Sequence, residues 1–136
     1  MKLVGITQDN FPTYWPAIKP LLTEACERSR GQFTADQAVQ QLVNGIWWFW
    51  VGVDETNTVK AFAVTEILEF SAGALVGNIL ITTGTSRKDW KHLIGDLETW
   101  AKDQGCERLQ TWARKGWVRE LPDYKISHVL LERGLD

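Results

Sequence analysis

Aromatic and basic side chains are mixed near the carboxyl end of the chain, at Trp112, Arg114, Lys115, Trp117 and Arg119. Indole rings stack on bases and cations neutralise phosphates, so such a mixture can bind nucleic acid or a coenzyme. Tryptophan and arginine also dominate the hot spots of protein interfaces. A third interpretation is structural, with Trp117 in the core and the arginines paired with nearby carboxylates. The residue types leave all three open, and we take these five residues as the candidate interaction site.

Glu66 is the candidate general base, because it interrupts an apolar stretch from Val59 to Phe70 that is typical of a strand. Burial in such a strand raises the pKa of a carboxyl toward the range in which it accepts a proton near neutral pH. The alternative is a structural carboxylate at the strand end, or one paired with an arginine such as Arg114.

The cysteines and histidines do not indicate a metal site. Cys26 and Cys106 lie far apart in the sequence, and neither has a second cysteine or a histidine at the short spacing of a structural zinc site. We expect two small hydrophobic thiols in a reducing compartment, and leave a disulfide between them open.

Length and charge favour one ordinary globular domain spanning residues 1–136. Lysine and arginine total 15 against 17 acidic residues, and this net charge of −2 excludes a strongly basic nucleic-acid coat. The most apolar run, residues 45–53, is far shorter than the ~18–20 residues that span a bilayer. The first residues lack the apolar core of a signal peptide, so we predict an intracellular protein. The unusual feature is the number of tryptophans, eight in 136 residues.

Apolar spacing and turn residues predict the order strand, helix, helix, three strands, long helix, strand, short helix and strand. Proline is best tolerated in the first helical turn, so Pro16 and Pro20 predict that the first helix runs from about Pro20 to Arg30. Thr34 and Gln37 form a capping-box pattern before the second helix. A long third helix, capped by Ser86, ends near Gly105. The predicted strands cover residues 3–6, 46–53, 59–70, 74–82, 107–113 and 126–131, with a short helix or turn at 117–124.

This order resembles the GNAT N-acyltransferase fold along nearly the whole chain. The stretch from Trp90 to Cys106 looks like the GNAT helix that ends in Trp-Ala-x-x-x-Gly-Cys, and residues 114–121 look like the Arg-x-Gly-Trp-x-Arg-x-Leu run of GNAT-like proteins encoded by tailed phages and prophages. The resemblance implies an α/β fold with a mixed central sheet of about six strands, flanked by three to four helices.

The resemblance also implies where an acyl-CoA would bind. GNAT enzymes carry an Arg-x-x-Gly-x-Gly/Ala loop before the long helix, and here the two glycine positions fall at Lys88 and Trp90. A side chain at a position that needs a left-handed backbone costs about 1–2 kcal/mol. If acyl-CoA binds nonetheless, the implied cofactor-binding residues are Ile81, Thr82, Ser86, Arg87 and Lys88.

The resemblance implies catalytic groups only if the protein is an enzyme. The implied pair is Glu66 as the base and Tyr124 as the acid that protonates the leaving thiolate. The usual position of the family's tyrosine falls near Arg119, so Tyr124 would serve only if the turn shifts. GNAT enzymes splay their fourth and fifth strands apart to admit the pantetheine arm, and the bulky Trp112 could plug that cleft.

Two functions from different classes follow. We predict a phage-encoded GNAT-fold protein that has lost acyl-CoA catalysis and acts as a structural or interaction component of the phage particle or its assembly, without a cofactor. Its partners would be other phage proteins, with neither a membrane nor nucleic acid, and it would lie in the host cytoplasm or in the particle. The alternative is an acetyl-CoA-dependent N-acyltransferase acting on a protein or small-molecule amine. A nucleic-acid role through residues 114–119 is a third interpretation.

Overall fold

A computed structural model describes residues 1–84, 87–113 and 116–135, with the backbone alone at 87–89 and 116. From the first strand to the short fourth helix, the elements follow the predicted order. In chain order the elements are β1 (Lys2–Gly5), α1 (Phe11–Arg28), α2 (Ala35–Val43), β2 (Trp47–Val53), β3 (Val59–Glu69), β4 (Leu75–Gly84), α3 (Arg87–Asp103), β5 (Arg108–Thr111) and α4 (Gly116–Glu120).

The strands form one mixed sheet in the order β1-β2-β3-β4-β5. Neighbouring strands are antiparallel except β4 and β5, which run parallel and are joined by α3. Strands β2 and β3 therefore form a hairpin, and β4, α3 and β5 form a parallel strand-helix-strand crossover. Five strands and four helices confirm the predicted α/β class, with fewer strands than the expected six.

The predicted strand over residues 126–131 is wrong, because the described residues after α4 form no strand. Ile126, Val129, Leu130 and Leu131 carry the expected apolar side chains, but each is 61–88% exposed. A strand is stable only when its backbone pairs with a neighbour and one face is covered. The edge strand that residues 126–131 would have to pair with is β5, which is only four residues long. No described residue after α4 pairs with it.

Helices pack on both faces of the sheet. Trp47 and Phe49 of β2 join the cluster of α1 and α2, whereas Trp50 joins the cluster of α3. Trp48 lies on the α3 face, where its ring is 5.1 Å from that of Trp100. The tryptophans of β2 thus alternate between the two faces, and a two-sided sheet accounts for the apolar run of this strand.

Helix α1 begins at Phe11, so the predicted start near Pro20 is wrong. Pro16 and Pro20 lie inside the helix, although each lacks the N–H that would bond four residues back. Together with Pro12 they are spaced by four and all face solvent, where water can bond the released carbonyls. The opposite side buries Ile18, Leu22 and Ala25 against the sheet, and this burial outweighs the unfavourable propensity of proline.

The start of α2 and the end of α3 are as predicted, whereas the predicted cap of α3, Ser86, lies outside the described residues. Thr34 and Gln37 form both hydrogen bonds of the capping box at the start of α2. Gly105 ends the α3 turn with φ of 84°, a left-handed conformation that favours glycine. The apolar side chains of α3 recur every three or four residues and are all buried: Trp90, Leu93, Ile94, Leu97, Trp100 and Ala101.

Cys26 and Cys106 are both free and partly buried, so the disulfide that the sequence left open does not form. Burial raises the pKa of both thiols above the usual range. Among the described residues, no group of three or more His, Cys, Asp or Glu side chains could hold a metal ion. No described helix combines the length and apolarity needed to cross a bilayer.

Gly84 closes β4 where two strands approach too closely for a side chain. Its φ is 154°, and a Cβ there would lie 2.7 Å from the Lys60 carbonyl oxygen and 2.9 Å from the Ala61 Cα of β3. Gly95, on α3, has open space around its Cα. These two glycines therefore differ in what an added methyl group would meet.

We expect Gly84→Ala to lower the free energy of unfolding by about 1–3 kcal/mol, because the backbone of β3 must move. Gly95→Ala, the matched control, should raise it by up to about 1 kcal/mol through helix propensity. Urea unfolding of both variants measures the difference. Equal stabilities would show that β3 and β4 do not approach as closely as described.

Candidate functional site

A β-bulge in β4 is the feature that shapes the site. Val64 of β3 pairs with Ile81, but the next residue, Thr65, pairs with Ile79, which leaves Leu80 as the extra residue of β4. A bulge bends and twists its strand locally. Here it coincides with the point at which β4 leaves β5.

The parallel ladder between β4 and β5 ends at the bulge. The last pair is Ile79 with Thr111, and the Thr111 hydroxyl donates to the Ile79 carbonyl oxygen at 3.1 Å. Beyond it β4 continues to Gly84 paired with β3 only. The backbone of residues 80–84 therefore has an edge toward β5 with no strand on it.

The space between the diverging strands is a cavity of about 520 Å³. The end of α1 and the following turn line it from one face of the sheet, through residues such as Arg28 and Phe33. Trp90 of α3 and Trp117 of α4 line it from the other face. We call this space the slot. It lies at the carboxyl ends of two parallel strands, where α/β folds commonly bind ligands.

Only two of the five predicted cofactor-binding residues are found in the described lining of the slot. Ile81 and Thr82 line the slot, as does Leu80, which sequence reasoning missed. Ser86 lies outside the described residues, and the side chains of Arg87 and Lys88 are not described. The sequence does not predict a bulge at Leu80, because the apolar run Ile79-Leu80-Ile81 is typical of an uninterrupted strand.

The expected strain at the replaced glycine positions does not arise. Lys88 and Trp90 both lie within α3, and neither has a positive φ. In a right-handed helix a side chain carries no left-handed cost, so backbone strain at these two positions does not weaken binding.

Of the candidate interaction residues, two meet at the slot. Trp112 follows β5 and is 66% exposed at the rim, whereas Trp117 lines the wall and packs with the α3 cluster. Trp112 does not fill the slot, so the predicted plug is absent. Arg119 is exposed at the end of α4, and Arg114 and Lys115 lie outside the described residues.

Glu66 lies beside the slot rather than in its lining. Its carboxylate accepts from the Trp47 indole N–H at 2.9 Å and from the Asn78 amide at 3.1 Å, on the sheet face covered by α1 and α2. Asn78 and Gln110 directly precede the last paired residues of β4 and β5. Glu66 pairs with Asn78, so its carboxylate is held one residue before the point where β4 and β5 separate.

Tyr124 faces away from the slot. Its hydroxyl donates to Glu98 of α3 at 2.6 Å, and its ring packs on the α3 cluster. Burial and the Glu98 carboxylate raise the pKa of Tyr124 well above its usual range. The structure therefore brings Tyr124 to neither Glu66 nor the described lining of the slot.

Solved structures of acetyltransferases share this fold. A probable acetyltransferase matches with a TM-score of 0.73 and 12% identity, covering 100% of this chain and 97% of the other. An aminoglycoside acetyltransferase from an uncultured soil metagenomic sample, in complex with sisomicin, matches at 0.68 and 18%, covering 99% and 96%. A predicted acetyltransferase with acetyl-CoA from Clostridium acetobutylicum matches at 0.64 and 12%, covering 99% and 95%.

The chain thus has the fold of the GNAT acetyltransferases, as its sequence predicts. At these identities the likeness shows the fold alone. No protein-family profile and no curated protein matches the sequence.

The bond between Tyr124 and Glu98 gives a testable pH dependence. The folded-state pKa of Tyr124 is raised, so its stabilisation is complete below the unfolded-state pKa of about 10 and is lost as pH rises above it. Urea unfolding at pH 8 and pH 11 should show a smaller decline in Tyr124→Phe than in wild type, by less than about 1 kcal/mol because the hydroxyl is partly exposed. Tyr14→Phe, which removes an exposed bond to Asn57, should keep the full decline. Identical declines in all three proteins would contradict the assignment.

Proposed function

We propose that the protein is an N-acyltransferase that binds an acyl-CoA thioester in the slot and transfers the acyl group to an amine. The observation that carries this proposal is the bulge at Leu80, which parts β4 from β5 and opens a cavity lined from both faces of the sheet. Two substrates that react with each other can then approach from opposite faces. The acetyltransferase fold of the neighbours supports the same reaction class.

The residues present fit the coenzyme. The unpaired edge of β4 at Leu80, Ile81 and Thr82 offers backbone groups to an extended, amide-bearing arm, which can bind as an added strand does. The amino end of α3 follows β4 closely, and helix N-termini favour phosphate. When bound, the thioester supplies an electrophilic acyl carbon and a thiolate leaving group.

The role proposed for Glu66 is that of proton acceptor. The acceptor arrives as an ammonium ion, which must lose one proton before its nitrogen can attack. Glu66 takes that proton, directly or through water. The C–N bond then forms as the C–S bond breaks, and the second nitrogen proton leaves with the thiolate. The products are an amide, a thiol and one proton, which Glu66 returns to solvent.

A second candidate function is a binding module that acts through its surface, as a component of a phage particle or its assembly. The exposed Trp112 and the apolar residues beyond α4 favour it, because exposed large apolar side chains mark interaction sites. Tyr124, the candidate general acid, lies away from the slot, and this position also favours a binding module over an enzyme. Phage origin, phage partners and the place in the host cytoplasm or particle stay predictions of the sequence.

Calorimetric titration with acetyl-CoA tests the proposed function. We expect wild type to bind with a micromolar Kd, and Ala113→Trp, at the exposed rim of the slot, to bind at least about tenfold more weakly because the indole blocks the entrance. Val43→Trp, at an exposed position on α2, is the matched control and should bind as wild type does.

No heat from wild type at about 0.5 mM acetyl-CoA would overturn the acyltransferase proposal and favour the binding module. Equal binding by wild type and Ala113→Trp would place the coenzyme elsewhere. If acetyl-CoA binds, thiol release in the presence of amines should fall by about 100-fold or more in Glu66→Gln, the range expected for loss of a general base.

A further inference from the structure

The outer edge of β5 has no described strand beside it. Strand β5 is the last strand of the sheet and pairs with β4 on one side only. Proteins protect such edges with charged side chains, prolines or bulges, because a free row of N–H and C=O groups pairs readily with another chain. Strand β5 contains no proline, and its one charged residue, Arg108, pairs with Glu107 at 2.8 Å. The edge is therefore open to an added strand.

A strand-like segment of the same chain lies beyond α4 without a strand partner. Residues 126–131, which we call the tail segment, contain no proline, glycine, lysine, arginine or carboxylate. Four large apolar side chains in it are 61–88% exposed, and residues 124–135 belong to no helix or strand. Short segments of this composition pair as strands where an edge is offered. Their exposure also marks the tail segment as an interaction surface.

Contacts at both ends hold the tail segment away from its own β5. Before it, the Tyr124 hydroxyl donates to Glu98, and the Tyr124 ring packs on the α3 face of the sheet. After it, Glu132 pairs with Arg30 at 2.8 Å, in the turn between the two helices that cover the opposite face. The tail segment therefore passes from one face of the sheet to the other instead of running along β5. The β5 edge of a second copy can approach it from outside without breaking either contact.

We propose that the protein forms a two-fold symmetric dimer in which the tail segment of each copy pairs as an added strand with β5 of the other. Such an interface is self-complementary, because each copy offers one open edge and one unpaired segment. Trp112 directly follows β5 and is 66% exposed, so it extends the apolar surface along the same edge. Tryptophan is enriched at protein interfaces. The dimer does not depend on the binding of acyl-CoA, so it goes beyond the proposed function.

Sedimentation equilibrium tests for the dimer. We expect the mass of wild type to rise from 15.5 kDa toward twice that value between about 1 and about 200 µM protein. Val129→Asp puts a charge in the middle of the tail segment and should weaken the dimer at least about tenfold. Leu135→Asp, the matched control, makes an apolar-to-acidic change at an exposed position outside the segment and should dimerise as wild type does. Val129 is itself 74% exposed, so urea unfolding should show both variants folded.

Hydrogen exchange identifies the edge that the dimer uses. We expect the amides of Arg108–Thr111 to exchange more slowly at about 200 µM than at about 1 µM protein, because the added strand accepts hydrogen bonds from them. Strand β1, also four residues long, lies at the other edge of the sheet and should exchange equally at both concentrations. Val129→Asp should remove the protection of β5, and Leu135→Asp should keep it.

Four results would each overturn the proposal. A monomer at about 200 µM would exclude the dimer. A dimer with unprotected β5 amides would place the contact elsewhere on the surface. Protection of β5 that is equal at all concentrations would show that the tail segment pairs within its own chain. A dimer that Val129→Asp leaves intact would exclude the tail segment from the interface.

Discussion

The single extra residue at Leu80 is the constraint on which the rest of the structure depends. Without it, β4 would pair along its length with both neighbours, and the sheet would be closed where the slot now lies. With it, the parallel ladder stops at Ile79 and Thr111, and the five residues of β4 from Leu80 to Gly84 keep an unpaired edge. Unpaired backbone groups inside a fold need partners, so the edge that the bulge frees is the part of the sheet best suited to a ligand.

The rest of the sheet is rigid enough to hold that opening. The two helix layers pack on opposite faces, and β2 supplies large aromatic side chains to both. On the α3 face the rings of Trp48, Trp50 and Trp100 contact one another, with centroids 5.1–6.2 Å apart. Such pairs add to the free energy of burial. The tryptophan excess is thus mostly structural, while Trp90, Trp112 and Trp117 border the slot.

Local sequence signals predicted the elements well and the site poorly. The capping box at Thr34 and the apolar stripe of α3 depend on neighbouring residues, so spacing alone identifies them. The start of α1 did not follow from spacing, because the burial of Ile18 and Leu22 offsets two internal prolines. The bulge at Leu80 and the hydrogen bonds from Trp47 and Asn78 to Glu66 depend on pairing between distant strands, which no local pattern encodes. The strand predicted at 126–131 is absent for the same reason, since an apolar pattern does not guarantee that a neighbouring strand is there to pair with it.

The sheet also separates the two acid-base candidates that the sequence placed in one site. Glu66 lies on the α1 and α2 face, held by Trp47 and Asn78, whereas Tyr124 lies against α3 and donates to Glu98. A hydroxyl whose pKa is raised by burial and a neighbouring carboxylate is a poor proton donor, because its ionised form is disfavoured. A thiolate with a pKa near 8.5 departs without prior protonation and can then take the second proton of the amine nitrogen, so the step needs no separate acid. An acyl transfer in this slot therefore depends more on proton removal at Glu66 than on an acid at Tyr124.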